Sequence, residues 1–139
     1  MKVLSLFAGL VCVCTVPPAF AAEEWITIPN SDPNITFSFD KGSIERRGNL
    51  VRVWEKMVYT QAQIKDEASG KMVKEKKIHR LMHCADYTQG VISGATYTEN
   101  GRFISSVSYD EPQTQMSPVP TGTLAAEELR LVCLLAPYR

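Results

Sequence analysis

Few side chains in this chain could do chemistry, and their spacing limits what that chemistry would be. His79 and His83 are the only histidines, four apart, with Cys84 directly after them. On a helix, an i and i+4 pair projects to one side and could grip a metal ion. On a strand the two side chains share a face but lie about 13 Å apart, too far for a single ion. The flanking segment, Met72 to Tyr87, reads as a strand, so the pair is taken as two surface histidines and no metal site is assigned. His83-Cys84 could suggest a thiol nucleophile, but a bridged cysteine cannot attack anything, and Cys84 has a candidate partner. Gly90-Val91-Ile92-Ser93-Gly94 lacks the nucleophile-elbow spacing and falls in a predicted strand rather than at a strand-to-helix turn. The carboxylates are scattered through turns and mixed-charge segments. No catalytic residue, acid/base pair or cofactor site emerges, and the expectation is a protein that is not an enzyme.

What does cluster is positive charge. Lys65, Lys71, Lys74, Lys76, Lys77 and Arg80 face only Asp66, Glu67 and Glu75 over the same stretch. Such an excess attracts acidic proteins, sulfated polysaccharide or a negative membrane surface. Lysines also blunt exposed strand edges against aggregation, so a purely protective role stays open. These six are the candidate partner-binding residues. Trp25, Trp54, Tyr59, Tyr97 and Tyr109 read as core and sheet-face residues rather than a ligand cage. The whole chain has 15 basic and 15 acidic residues, which supplies no global attraction for nucleic acid.

The address comes from the N-terminus. Lys2, an apolar run from Val3 to Val16, a Pro17-Pro18 break and then Ala19-Phe20-Ala21 form the charged, apolar and small-residue regions of a secretory signal peptide. Residues 1–21 are expected to be cut off before Ala22. Lipid attachment at Cys12 or Cys14 would want a small residue just before the cysteine, where Val11 and Val13 stand, so soluble export is expected. Residues 22–139 then suffice for one domain with a modest core, and contain no further apolar run long enough to span a bilayer. Periplasm, outer-membrane surface and medium are all compatible with export.

Outside the leader only Cys84 and Cys133 remain, and export implies an oxidising compartment. Pairing them closes a loop of about 50 residues, worth roughly 4 kcal/mol in the chain-entropy model. Two free thiols or an intermolecular bridge are the alternatives.

The rest of the chain must position these groups, and most of it alternates with period two. Trp25–Ile28, Ile35–Phe39 and Leu50–Tyr59 read as strands, with Val51, Val53, Met57 and Tyr59 on one face of the third. Asp66-Glu67-Ala68-Ser69-Gly70 supplies the turn of a long hairpin returning through Met72–Tyr87, which puts Ile78, Arg80, Met82 and Cys84 on one face. Val91–Tyr97 and Phe103–Tyr109 form a second pair around Asn100-Gly101, residues that tolerate positive φ. Pro112, Pro118 and Pro120 mark a crossing loop expected to lie outside the sheet. Thr123 is an N-cap for a helix whose Ala125, Leu129, Val132 and Cys133 fall on one stripe. The expected fold is α+β, mainly β: an antiparallel sheet of about six strands with a C-terminal helix packed on one face and tethered by Cys84–Cys133. Unpaired strand edges leave a homodimer possible.

Taken in order, these features resemble the surface-adhesin protein E family of Gram-negative bacteria. The resemblance rests on Val53-Trp54-Glu55-Lys56, a central Cys84, the Tyr97 and Phe103 strands around a tight turn, Pro120-Thr121-Gly122-Thr123, and a helix ending Leu131-Val132-Cys133. It covers about residues 24 to 135. It implies a bent antiparallel sheet whose concave face holds the helix through a disulfide, and an exported adhesin for host extracellular-matrix or epithelial components. A scaffold can be shared while binding differs, so a periplasmic ligand-binding or envelope-enzyme inhibitor module is the alternative. The missing lipid-attachment pattern bears on that choice.

Overall fold

The computed structural model describes residues 22–62, 64–111 and 114–137. Its elements are β1 (Trp25–Ile28), β2 (Ile35–Asp40), a 3-10 turn (Lys41–Ser43), β3 (Glu45–Arg47), β4 (Leu50–Tyr59), β5 (Ile64–Lys65), β6 (Met72–Val73), β7 (Glu75–His83), β8 (Thr88–Tyr97), β9 (Phe103–Ser108), β10 (Ser117–Pro118) and α1 (Leu124–Leu135). One antiparallel sheet runs β1-β2-β4-β7-β8-β10, with β3 beside β4 and β9 beside β8; β5 and β6 make a small ribbon of their own.

The two longest neighbours, β4 and β7, set the faces. Val51 lies opposite Met82, Val53 opposite Arg80 and Glu55 opposite Ile78; between them Arg52 meets Leu81, Trp54 meets His79 and Lys56 meets Lys77. Period-two alternation sends the first set to one face and the second to the other. On the first face Phe37, Phe39, Val51, Val53 and Met82 are buried against Leu129 and Val132 of α1. Each such side chain contributes about 1.5–3 kcal/mol by leaving water. This helix side is the core, and the opposite side is the open face.

The helix starts as its sequence predicts. Thr123 Oγ1 accepts the Ala126 N–H at 3.2 Å, while Glu127 sits in the first turn. Near its end, Arg46 of β3 donates through Nη1 to the Cys133 carbonyl at 3.3 Å, satisfying one of the last-turn acceptors that the helix leaves over. Cys84 and Cys133 are bonded within the chain, their Cα atoms 5.9 Å apart. The bridge therefore ties the end of β7 to the last turn of α1.

Four stretches depart from expectation. The long hairpin forms, but β4 and β7 stop pairing at Val58 and Glu75, and its tip continues as the β5–β6 ribbon. Asp66 closes that tip, accepting from the Ser69 N–H at 2.8 Å and the Ser69 hydroxyl at 2.6 Å. At residues 98–102 only Gly101 takes positive φ, +74°, so the turn is wider than an Asn-Gly two-residue hairpin. The proline segment does add to the sheet: Ser117 and Pro118 pair with Gln89 and Thr88. An edge position tolerates a residue with no N–H to donate, which is why the proline did not forbid it. Residues 45–47, which no pattern singled out, form β3 against Leu50–Arg52 through Gly48 at φ +62°.

Just before β10 the chain crosses the open face. A Cβ at Gly90 would lie 2.5 Å from the Gln115 carbonyl oxygen and 2.6 Å from Thr114 Cγ2, so only glycine lets the crossing segment sit so low. Leu81, an open-face residue, is buried there. The crossing is held by a two-pronged ion pair between Arg52 and Glu111.

Candidate functional site

The six predicted binding cations do not form one patch. Lys65 and Lys71 are exposed on the β5–β6 ribbon. Lys74 donates through Nζ to the Thr60 carbonyl at 2.6 Å, bracing the junction between ribbon and sheet. Lys76 and Lys77, being consecutive, leave opposite faces: Lys76 Nζ lies 5.9 Å from the Tyr59 ring centre and Lys77 Nζ 5.9 Å from that of Tyr97.

Arg80 is partly buried rather than displayed on the surface. It points to the helix side, where Nε and Nη2 donate to the two oxygens of Glu55 at 2.6 and 2.7 Å. Glu55 is 1% exposed, and Glu128 of α1 is equally buried beside it. Burial by itself would lower the Arg80 pKa, but the Glu55 bonds and charge outweigh it and raise it. Both Glu55 oxygens serve the arginine, so the proton of the carboxylate pair belongs on Glu128. Burial first, then the Glu55 charge and a hydrogen bond to it, push the Glu128 pKa up to about 10. At neutral pH a protonated Glu128 donates to the Glu55 carboxylate, while its Oε1 has no hydrogen-bond partner among the described residues. Helix and sheet are thus joined by a carboxylate, a guanidinium and a neutral acid. Sequence reasoning missed this cluster, although a signal existed. Glu55, Arg80 and Glu128 each stand at an apolar-face position of their own element.

The open face carries the rings. Trp54 stacks on His79 with ring centres 4.6 Å apart and planes 5° from parallel. Burial, and then the charge of Arg52, hold the His79 pKa below the ordinary value, so the imidazole is neutral at pH 7. His83 lies on the same strand, its Nδ1 accepting the Asp86 N–H at 3.0 Å. The two histidines are engaged separately, and among the described residues no group of three or more metal-ligating side chains converges. Tyr59 is core, whereas Trp54 and Tyr109 are exposed. Trp25, Trp54 and Tyr97 border a groove of about 450 Å³, floored by Ser93, Ala95 and Ser106. A second depression, about 620 Å³, lies at the Arg52–Glu111 crossing. Among the described residues no helix is long and apolar enough to cross a membrane.

This arrangement defines a class: a helix-backed antiparallel sheet, clamped by one disulfide, with cations and rings displayed on its outer surfaces. The family model for surface-adhesin protein E matches residues 25–134, and the chain belongs to that family. Its fold is also that of solved Haemophilus influenzae protein E structures. Crystal form II is 12% identical, with a TM-score of 0.57 over 86% of this chain and 94% of that one. The protein from non-typeable H. influenzae is 13% identical, with a TM-score of 0.55 over 86% and 81%. At such identity the likeness speaks for the fold alone. No curated protein matches the chain significantly.

Proposed function

We propose that the protein is an exported, non-enzymatic surface adhesin of the Gram-negative envelope that recognises host extracellular-matrix or epithelial components. Membership of the surface-adhesin protein E family is the observation that carries this reading. The geometry supports a division of labour: the disulfide and the buried Glu55–Arg80–Glu128 cluster brace the sheet, while Lys65 and Lys71 stand exposed on the ribbon at the far end of the hairpin. Export rests on the leader at residues 1–21, which lies outside the described residues.

The test uses the full exported chain on surfaces coated with matrix proteins. Changing Lys65 and Lys71 to Glu should weaken binding at least tenfold while leaving thermal unfolding unchanged, and added salt should weaken the unaltered protein's binding. Binding that ignores both changes removes the ribbon from the mechanism. The open-face groove favours a second reading, a periplasmic ligand-binding or envelope-enzyme inhibitor module. Protease added to intact cells separates the two: digestion supports the adhesin, and protection until lysis supports the periplasmic module.

A further inference from the structure

Among the described residues the main sheet ends in four edge strands, and three of them carry features that keep an edge from pairing. β3 consists of charged residues only, Glu45, Arg46 and Arg47. β10 is two residues long and contains Pro118. β1 is four residues long, stops before Pro29 and has Ile28 buried in the helix-side core. β9 has none of these. Phe103–Ser108 contains no charge and no proline, and every residue but Ile104 is exposed. Its bulge lies at the start, between the Thr96–Ser105 and Tyr97–Phe103 pairs, so Ser105 to Ser108 is regular strand.

Two flanking hydrogen bonds fix the backbone directions along β9. The Tyr109 N–H donates to the Ile92 carbonyl at 2.7 Å, and the Thr98 N–H to the Arg102 carbonyl at 2.9 Å. Antiparallel alternation then turns the backbone groups of Val107 and Ser105 toward β8. It leaves the N–H and C=O of Ser106 and Ser108 pointing away from the sheet. Val107, opposite Gly94, stands on the helix side but is 52% exposed, because α1 does not cover it. Arg102 and Asp110 flank the strand; both are exposed, and neither side chain has an ion-pair partner among the described residues. The edge thus offers two residues with free backbone groups, an apolar side chain between them and a charge of opposite sign at either end.

We propose that β9 is a docking edge for an extended segment of another protein, which adds to the sheet antiparallel to β9 and exchanges backbone hydrogen bonds with Ser106 and Ser108. Main-chain bonds hold such a segment, and its alternate side chains make it specific. A β-branched residue lies opposite Val107, a basic residue toward the segment's N-terminal end meets Asp110, and an acidic residue toward its C-terminal end meets Arg102. A second copy of β9 fits less well. The antiparallel register centred on Ser106 brings Arg102 to Asp110 of the other copy, but it sets Val107 against Ser105. Centring on Val107 puts the two valines together and leaves both charges unmatched. No single self-register meets both requirements, whereas a foreign segment is free to do so. This inference stands apart from matrix binding by Lys65 and Lys71 and does not require it.

The experiment is fluorescence polarisation of the full exported chain with a labelled, end-capped peptide, Lys-Thr-Thr-Val-Thr-Val-Thr-Thr-Glu. It should bind below millimolar concentration, and at least tenfold tighter than the same peptide with its Lys and Glu exchanged. N-methylating the third and fifth residues, whose amides face Ser108 and Ser106, should abolish binding. Methylating the two valine amides, which face away, should not. Ser106→Pro removes an N–H that the sheet does not use, so it should keep the thermal midpoint and weaken peptide binding at least tenfold. Because a proline could still bend the strand, Arg102→Glu with Asp110→Lys provides a second variant, which should prefer the exchanged peptide. Lys65→Glu with Lys71→Glu should bind the peptide as the unaltered protein does. The inference is overturned by no binding at millimolar peptide, by equal binding of the exchanged peptide, by equal loss from both methylation patterns, or by full binding in Ser106→Pro. Loss in the Lys65 and Lys71 variant would overturn it too, since attraction would then reside in the ribbon. So would a dimer in light scattering that Ser106→Pro converts to monomer, which would assign the edge to a second copy.

Discussion

The two faces of this sheet use the same residue types to opposite ends. On the helix side, β7 presents Arg80 to a buried carboxylate, with both guanidinium bonds at 2.7 Å or less and a second, neutral acid behind. Three residues earlier on the same strand, Lys77 presents its charge to the open face, near a ring and 3.9 Å from Glu75. The difference teaches where electrostatics matter for stability. A buried charge without its partner is costly, whereas a wet one loses little because water replaces what is removed.

The largest effect should come from breaking the buried side. Arg80→Ala leaves the Glu55 carboxylate enclosed and uncompensated, and should destabilise by about 3–5 kcal/mol in urea unfolding. A loss below about 1 kcal/mol would mean that water reaches Glu55 and that the two faces do not differ in kind. Removing the bridge with Cys84→Ser and Cys133→Ser should cost roughly 2–4 kcal/mol, read the same way. Because the bridge holds α1 over the buried cluster, the double serine variant should also expose α1 to proteolysis before the sheet.

A sharper probe of the buried side is its proton. The folded protein keeps at Glu128 a proton that an unfolded chain gives up near the ordinary carboxyl value of 4.5. Between there and about 10 the native state binds more protons than the unfolded state, so stability falls as pH rises through that window, by at most about 1.4 kcal/mol per pH unit. Below the unfolded value the contribution is fully present. Thermal unfolding from pH 5 to 9 should show a falling midpoint. Glu128→Gln keeps a donor toward Glu55 without a proton to lose, and should flatten that slope. A slope unchanged in Glu128→Gln would place the proton elsewhere.

Much of this architecture was legible because alternation is a strong signal where one face is buried. Val51, Val53 and Met57 announced β4, and Thr123 with Leu129 and Val132 announced the helix. The pairing of Cys84 with Cys133 is the intramolecular choice once residues 1–21 are read as a leader, with free thiols and an intermolecular bridge as the alternatives, and the structure forms it. What stayed hidden was of three kinds. The short strands β3 and β10 depend on neighbours for their hydrogen bonds, so Glu45–Arg47 and Ser117–Pro118 carry no periodicity of their own. The buried charges were concealed by their type. Arg80 was counted with the hairpin lysines because charge is normally solvated, although its place between Ile78 and Met82 assigns it to the core face. The groove was invisible for a third reason: Trp54, Ser93 and Ser106 come from three strands, and only the register brings them into adjacent rows.

The smallest predicted effect is the most direct test of the contrast. Lys77→Gln removes a charge from the same strand as Arg80, at a position of similar sheet depth but opposite facing. It gives up a long contact to Glu75 and a weak ring interaction, and it also relieves the repulsion from Lys56 across the strand pair. These terms are each a few tenths of a kcal/mol and oppose one another, so stability should change by less than about 0.5 kcal/mol in urea unfolding. Set beside Arg80→Ala, that would make the ratio of the two losses about sixfold or more within four residues of one strand. A Lys77→Gln loss above about 1.5 kcal/mol would show that the open face is itself part of the brace.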